Sequence, residues 1–332
     1  MKSPEPPQRP GEFELIAKLF APLARDAPGA FGLTDDVAVL APPAGMDVVL
    51  KTDSLIEGVH FLRNDPASTV AQKALRRALS DLAAKGVEPC AYLLALALPC
   101  WPDITWLREL ARGLAADQAE FGVSLLGGET NATPGPLTIT VTAIGYVPEG
   151  ALIRRNGARS GDLIFVTGAI GDAGGGLSLL REEENEVSAD ARNCLVSRYR
   201  LPVPRLAFGL ALRGLASASI DVSDGLLADI GHIAETSHVR IEIDAGHVPL
   251  SAFLRELWGD DLEARKRASG AGDDYEIAFT APPSAVEALR ASARRTATAV
   301  TKIGRVALGG GVALLDLSGT EIEVERRGYT HF

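Results

Sequence analysis

Apolar and polar positions in this chain follow helical and strand periods in turn, and the punctuation between them is mostly Gly and Pro. From Glu12, Phe13, Ile16, Leu19 and Phe20 recur at helical spacing until Pro22 and the Pro28-Gly29 pair end the element. The apolar run at 37–40 predicts a strand. Pro42 to Gly45 predicts a turn, and the run from Val48 a second strand that delivers Thr52 and Asp53 to its end. Over 70–86, Ala74, Leu75, Ala78, Leu79 and Leu82 form a helical stripe with Lys73, Arg76 and Arg77 off it. A buried strand over 91–98, a helix over 102–121, a short strand over 123–126 and a long one over 137–147 complete the first half.

After the Pro148-Glu149-Gly150 boundary, strands are predicted at 163–167, 239–243, 277–280 and 299–306, with two more closing the chain after the turn at Gly309 to Gly311. Helices are predicted after Gly225, where Leu226, Leu227, Ile230 and Ile233 share a face, and over 284–293. Residues 181–192 read as a charged helix end and loop. These elements divide the chain into a tail at 1–10, an α/β half at 11–148 and an α+β half at 149–332. A length of 332 residues fits two domains of about 150 residues each, and 46% apolar content suffices for two cores.

The formal net charge of −10 argues against a nucleic-acid-binding or anionic-membrane surface, and no apolar run nears the roughly 18 residues of a membrane span. Three cysteines without metal-ligand spacing fit a reducing compartment, so the expectation is a cytoplasmic protein. Residues 1–10 lack the apolar stretch of a secretory signal.

Acids interrupt or end the predicted elements repeatedly: Asp35-Asp36, Asp53, Asp81, Glu129 after Gly127-Gly128, Asp221 with Asp224, and Asp273-Asp274. Taken singly, an Asp pair is a turn and Asp224 a helix N-cap. Asp81 is harder to dismiss, because it lies in the C-terminal half of its helix, where the macrodipole disfavours an acid, and so calls for a cation that a metal can supply. Together the acids suit several magnesium ions, since each ion takes hard oxygen ligands and one or two carboxylates beside substrate phosphates. Gly127-Gly128 and the turn from Gly168 to Gly176 allow backbone N–H groups near phosphate, although the second is a poor dinucleotide fingerprint. Phosphoryl transfer fits this inventory, because its catalysis is mostly positioning and charge neutralisation. No phosphate-loop motif, protein-kinase signature or catalytic triad is evident.

Gly11 to Ile16, Asp35-Asp36, Thr52-Asp53 through His60-Phe61, Leu79 to Ala84, Gly127 to Thr130, Asp221 to Leu226 and Asp274 to Glu276 together resemble, in order, the thiamine-monophosphate kinases. The resemblance implies the two-domain fold of aminoimidazole ribonucleotide synthetase and a homodimer joined through its N-terminal sheets. It also implies ATP-dependent phosphorylation of thiamine monophosphate to thiamine diphosphate by direct transfer. By the same resemblance, Asp35, Thr52, Asp53, Asp81, Glu129, Asp221 and Asp224 are metal ligands. Gly128, Glu129, Arg155 and Ser223 are ATP contacts, and His60, Asp273 and Tyr329 contact the thiamine substrate. Three positions depart from the pattern: Lys51 for Ser or Thr, Glu129 for Asp, and Asp273 for Glu, the first implying that an ammonium replaces part of one ion's charge. Two alternatives stay open: a nucleotide- and metal-binding sensor without turnover, and another ATP-using member of the superfamily. Of the latter, selenophosphate synthetase is disfavoured because no Cys precedes Cys90.

Overall fold

The computed structural model describes residues 11–100, 102–182, 187–324 and 327–329; the predicted tail at 1–10 and the last three residues lie outside them. The chain forms two compact units. One takes in the chain through Glu149 except Ala83–Val87, which belong with the second unit and with the chain from Gly150 onward.

The first unit opens with one helical turn, α1 (Glu12–Leu15), continued by π and 3-10 turns to Leu33. The run at 37–40 does not become a strand: Val37 and Val39 are exposed, and Val39 donates a backbone hydrogen bond to the Gly29 carbonyl at 2.8 Å. Four strands follow, β1 (Met46–Ile56), β2 (Glu88–Leu98), β3 (Ser124–Ala132) and β4 (Thr138–Pro148), in the order β1-β4-β2-β3. Strand β4 runs antiparallel to both its neighbours, whereas β2 and β3 are parallel, as their connection through a helix requires.

Two long helices, α2 (Ala67–Ala84) and α3 (Ile104–Phe121), come so close that a Cβ on Gly113 would fall 2.2 Å from the Ser68 carbonyl oxygen. Asp103 caps α3 by accepting from the Trp106 N–H, and Gly122 ends it in the left-handed region. Lys73 and Arg76 are buried rather than solvated. The Arg76 guanidinium donates to both oxygens of Asp117 at 2.9 and 2.8 Å and to Glu120 at 2.6 Å. Burial opposes its charge, but those carboxylates outweigh it and hold its pKa above the ordinary value.

The second unit has strands β5 (Leu163–Thr167), β6 (Ala218–Asp221), β7 (Arg240–Asp244), β8 (Ile277–Ala281), β9 (Val300–Ala307) and β10 (Gly311–Leu315), in the order β10-β7-β9-β5-β8-β6. Its helices are α4 (Asp172–Leu180), α5 (Ala189–Arg200), α6 (Leu206–Ala211), α7 (Leu226–Ser237), α8 (Ala252–Trp258), α9 (Leu262–Ser269) and α10 (Val286–Arg295). Where two closing strands are expected, β10 is followed, among the described residues, by a bridge between Leu315 and Glu321. A core of Ile164, Val166, Ile220, Ile230, Ile241 and Ile303 unites sheet and helices, and a second cluster surrounds Phe165, Phe208 and Phe279.

Candidate active site

In the first unit, strand alternation decides which residues can act together. Lys51, Asp53 and Leu55 point to one face of β1, and Leu50, Thr52 and Ser54 to the other. On the first face the Lys51 ammonium lies 3.2 Å from Asp53 Oδ1 and 2.8 Å from Asp81 Oδ2, joining the strand to α2. The cation that Asp81 calls for is present as a lysine. On the second face Thr52 Oγ1 is 2.9 Å from Thr142 Oγ1. Pairing through β4 and β2 puts Glu129 in one row with Ser54, Thr140 and Ala95, on the Thr52 face, and Gly128 in the row of Asp53, Val141 and Leu94. A bulge between Tyr92 and Leu93 sets that register. Strand pairing itself requires a glycine at 128, since a Cβ there would lie 1.7 Å from the Leu94 carbonyl oxygen.

Beyond β1 the chain turns back at Gly58, and His60 Nδ1 accepts the Ile56 N–H at 3.0 Å, leaving the neutral imidazole's proton on Nε2. Asp35 is exposed and accepts the Asp36 N–H at 2.8 Å, the turn geometry of an Asp pair.

In the second unit, β6 ends at the buried Asp221, and the turn of Ser223 and Asp224 leads into α7. Two segments clamp this turn through backbone hydrogen bonds. Asp273 and Tyr275 donate to the carbonyls of Ser223 and Val222 at 2.8 and 2.7 Å, and Tyr329 donates to the Asp224 carbonyl at 2.8 Å. Ser223, Asp224, Asp273 and Tyr329 are thus brought together. Arg155 stands apart from Ser223 and Asp224, its carbonyl accepting from Ser237 at the far end of α7, a length of about 18 Å for twelve residues.

Asp224 is not the cap of α7. The N-cap position is Gly225 and carries no side-chain cap; Asp229 instead holds the preceding turn, its Oδ2 accepting the N–H groups of Ser223, Asp224 and Gly225 at 2.9, 3.0 and 3.2 Å. Burial, reinforced by the Asp224 charge, pushes the Asp229 carboxyl up to about 7 despite those three donors. The signal for it was an acid in the first turn of a helix otherwise apolar on that side.

Sequence reasoning also missed a buried ionic cluster behind the Asp273-Asp274-Tyr275-Glu276 segment. Asp273 and Tyr275 both have positive φ, 68° and 52°, and the side chain between them turns inward. There Asp274 accepts the Gly171 N–H at 2.8 Å and the Ala173 N–H at 3.4 Å. The α4 N-terminus, offered by sequence as a phosphate cradle, is therefore filled by the chain's own carboxyl. Burial raises the Asp274 pKa well above the usual carboxylate range. Glu276, fully buried, accepts from Thr167 Oγ1 at 2.6 Å, from Arg198 at 2.7 Å and from Arg205 at 2.7 and 2.5 Å. Gly168 is required beside it, for a Cβ would fall 2.1 Å from Glu276 Oε1.

Among the described residues no three His, Cys, Asp or Glu side chains form a metal cluster. The residue types nonetheless fit magnesium: the donors are carboxylate and hydroxyl oxygens, and Asp53 and Asp81 already converge on one cationic group.

Residues 34–147 match the AIR synthase related protein N-terminal domain and residues 159–316 the corresponding C-terminal domain, so the chain belongs to the AIR synthase-related proteins. Hydrogenase maturation protein HypE has the same fold at 18% identity, with a TM-score of 0.77. Within that class the chain belongs to the thiamine-monophosphate kinase family. It is 42% identical to the thiamine-monophosphate kinase of Caulobacter vibrioides over 97% of this chain and 91% of that protein. The crystal structure of the Stenotrophomonas maltophilia K279a enzyme superposes with a TM-score of 0.84 at 40% identity, covering 94% of this chain and 98% of that one. A structure described as AaThiL complexed with AMPPCP and TMP does so at 0.76 and 32% identity, covering 98% and 99%. The expected two-domain fold and family are borne out.

Proposed function

We propose that this chain transfers the γ-phosphoryl group of ATP to thiamine monophosphate, giving thiamine diphosphate and ADP. The observation that carries this reading is likeness over nearly the whole chain to thiamine-monophosphate kinases, one of them solved with AMPPCP and TMP. In this reaction an oxygen of the acceptor phosphate attacks the γ-phosphorus, and the bond from that phosphorus to the β–γ bridging oxygen breaks. The attacking oxygen is already ionised near neutral pH, so the protein's task is to hold two anions together rather than to remove a proton.

Asp35, Thr52, Asp53, Asp81 and Glu129 in one unit, and Asp221 and Asp224 in the other, are the groups to hold magnesium. Bound magnesium neutralises phosphate charge. Gly128, Glu129, Arg155 and Ser223 serve ATP, while His60, Asp273 and Tyr329 serve the thiamine substrate. The clamp on the 223–225 turn supports that division, because it fixes Ser223 against the segments carrying Asp273 and Tyr329.

The same reading includes a homodimer and a cytoplasmic enzyme. The Thr52 face of the first sheet leaves Val48, Leu50 and Leu93 exposed at 44, 65 and 37%, an apolar surface that a second copy would cover. The three cysteines are free, which suits a reducing compartment. A solution mass of one protomer would count against the dimer.

The test is ADP release from ATP, coupled to a spectrophotometric readout, with and without thiamine monophosphate. Release that depends on thiamine monophosphate, and falls about 10²–10³-fold in Asp53→Asn, supports the proposal. ATP and thiamine monophosphate binding without turnover would instead favour a sensor.

A further inference from the structure

We propose that the Lys51 ammonium is a built-in cation of the first unit's acid pair, standing where a divalent ion would otherwise bridge Asp53 and Asp81. The inference rests on the magnesium-assisted reading above and adds a count to it: with lysine at 51, the chain binds one divalent ion fewer than with a neutral side chain there.

The geometry carries the argument. Lys51 and Asp53 are two residues apart on one strand and therefore share a face, and Asp81 reaches the same point from α2. The ammonium touches one oxygen of each carboxylate, at 3.2 and 2.8 Å, as a bridging cation must. Neither partner is a freely solvated surface charge, for the side chains of Lys51, Asp53 and Asp81 are only 32, 19 and 17% exposed. At such sites two facing carboxylates repel unless a positive charge lies between them. A helix C-terminal half adds to the demand at Asp81.

Lysine meets that demand with one charge rather than two. The trio keeps a net charge of −1, where the two acids with a magnesium ion would be neutral. Each carboxylate has two oxygens and shares a single ammonium, so both acids can still serve other ions. The consequence is that the acid pair is held in place before any metal or nucleotide arrives.

The experiment counts Mn²⁺ bound per chain, by the electron paramagnetic resonance of the free ion, with β,γ-methylene-ATP and thiamine monophosphate present. Wild type is compared with Lys51→Thr and Lys51→Gln. Each variant is expected to bind one more Mn²⁺ than wild type. In chelator the variants should also melt below wild type, with saturating Mg²⁺ closing the gap. Equal ion counts in a folded variant overturn the proposal, as does failure of both variants to fold even in Mg²⁺, because the ion must then be unable to replace the ammonium. A nucleotide analogue that binds none of the three proteins sinks the phosphoryl-transfer reading itself, whereas one that binds all three with equal ion counts sinks only the role of Lys51.

Discussion

Glu276→Gln is the most informative single change in the second unit, because it alters one charge and almost no volume. The wild-type carboxylate accepts four hydrogen bonds, two on each oxygen, from Thr167, Arg198 and twice from Arg205. A glutamine must turn its NH₂ toward one of those pairs. On the Oε1 side it meets two guanidinium N–H groups; on the Oε2 side it meets Arg205 Nε and the Thr167 hydroxyl, whose oxygen already accepts the Ile277 N–H at 2.8 Å. Either orientation opposes donor to donor and removes the Glu276 charge from guanidinium groups that are about one-fifth exposed, leaving Arg198 with Asp172 at 4.0 Å. Breaking a buried ion pair from one side costs about 3–5 kcal/mol. In a domain of this size each kcal/mol moves Tm by roughly 2–4 °C, so the melting temperature should fall by about 6–20 °C. Differential scanning calorimetry of the apoprotein measures it. A fall under about 3 °C would mean that water or a neighbour satisfies the two arginines, and that the cluster does not anchor the segment carrying Asp273.

Two further outcomes follow from the same packing. Asp274 has a folded-state pKa raised by burial, so its contribution to stability is complete below the unfolded value of about 3.9 and is lost as pH rises through the folded one; Asp274→Asn should flatten the decline in urea midpoint as pH rises above about 3.9, and parallel profiles would refute this. Gly128→Ala drives a methyl into the backbone of β2, which cannot rotate away, and should cost the first unit about 3 kcal/mol or more; an unchanged melt would show that β2 and β3 separate freely.

Much of the fold was legible because long apolar stripes and runs behave as isolated patterns predict. The stripe from Ala74 to Leu82 is a helix, and the runs beginning at Val48 and Ala91 are strands. The misses have physical causes. Helix α5 buries only Ala191, Leu195 and Tyr199, a single file too narrow to stand out in a charged stretch, and α9 buries little beyond two alanines. The run at 37–40 had the composition of a strand but found no sheet partner among the described residues. At the candidate site, the dipole argument demanded a cation for Asp81, and the structure supplies one in Lys51. What sequence could not supply was the inward turn of Asp274 or the reach of Asp229 back over three amides, since both depend on backbone paths that local pattern does not encode.

The irregularity at Tyr92 and Leu93 has a consequence for the glutamate that follows the double glycine. Were the register of Ser124–Ala91 and Leu125–Tyr92 carried on with no residue looped out, Glu129 would stand across from Leu96 instead of Ala95 and would emerge on the side of Asp53. The shift of register thus works as a polarity selector, sending one negative charge through the sheet to the side that also carries Leu50. Deleting one residue between Ser124 and Gly127 would let the two strands pair without interruption and still leave Glu129 across from Ala95, on the same side.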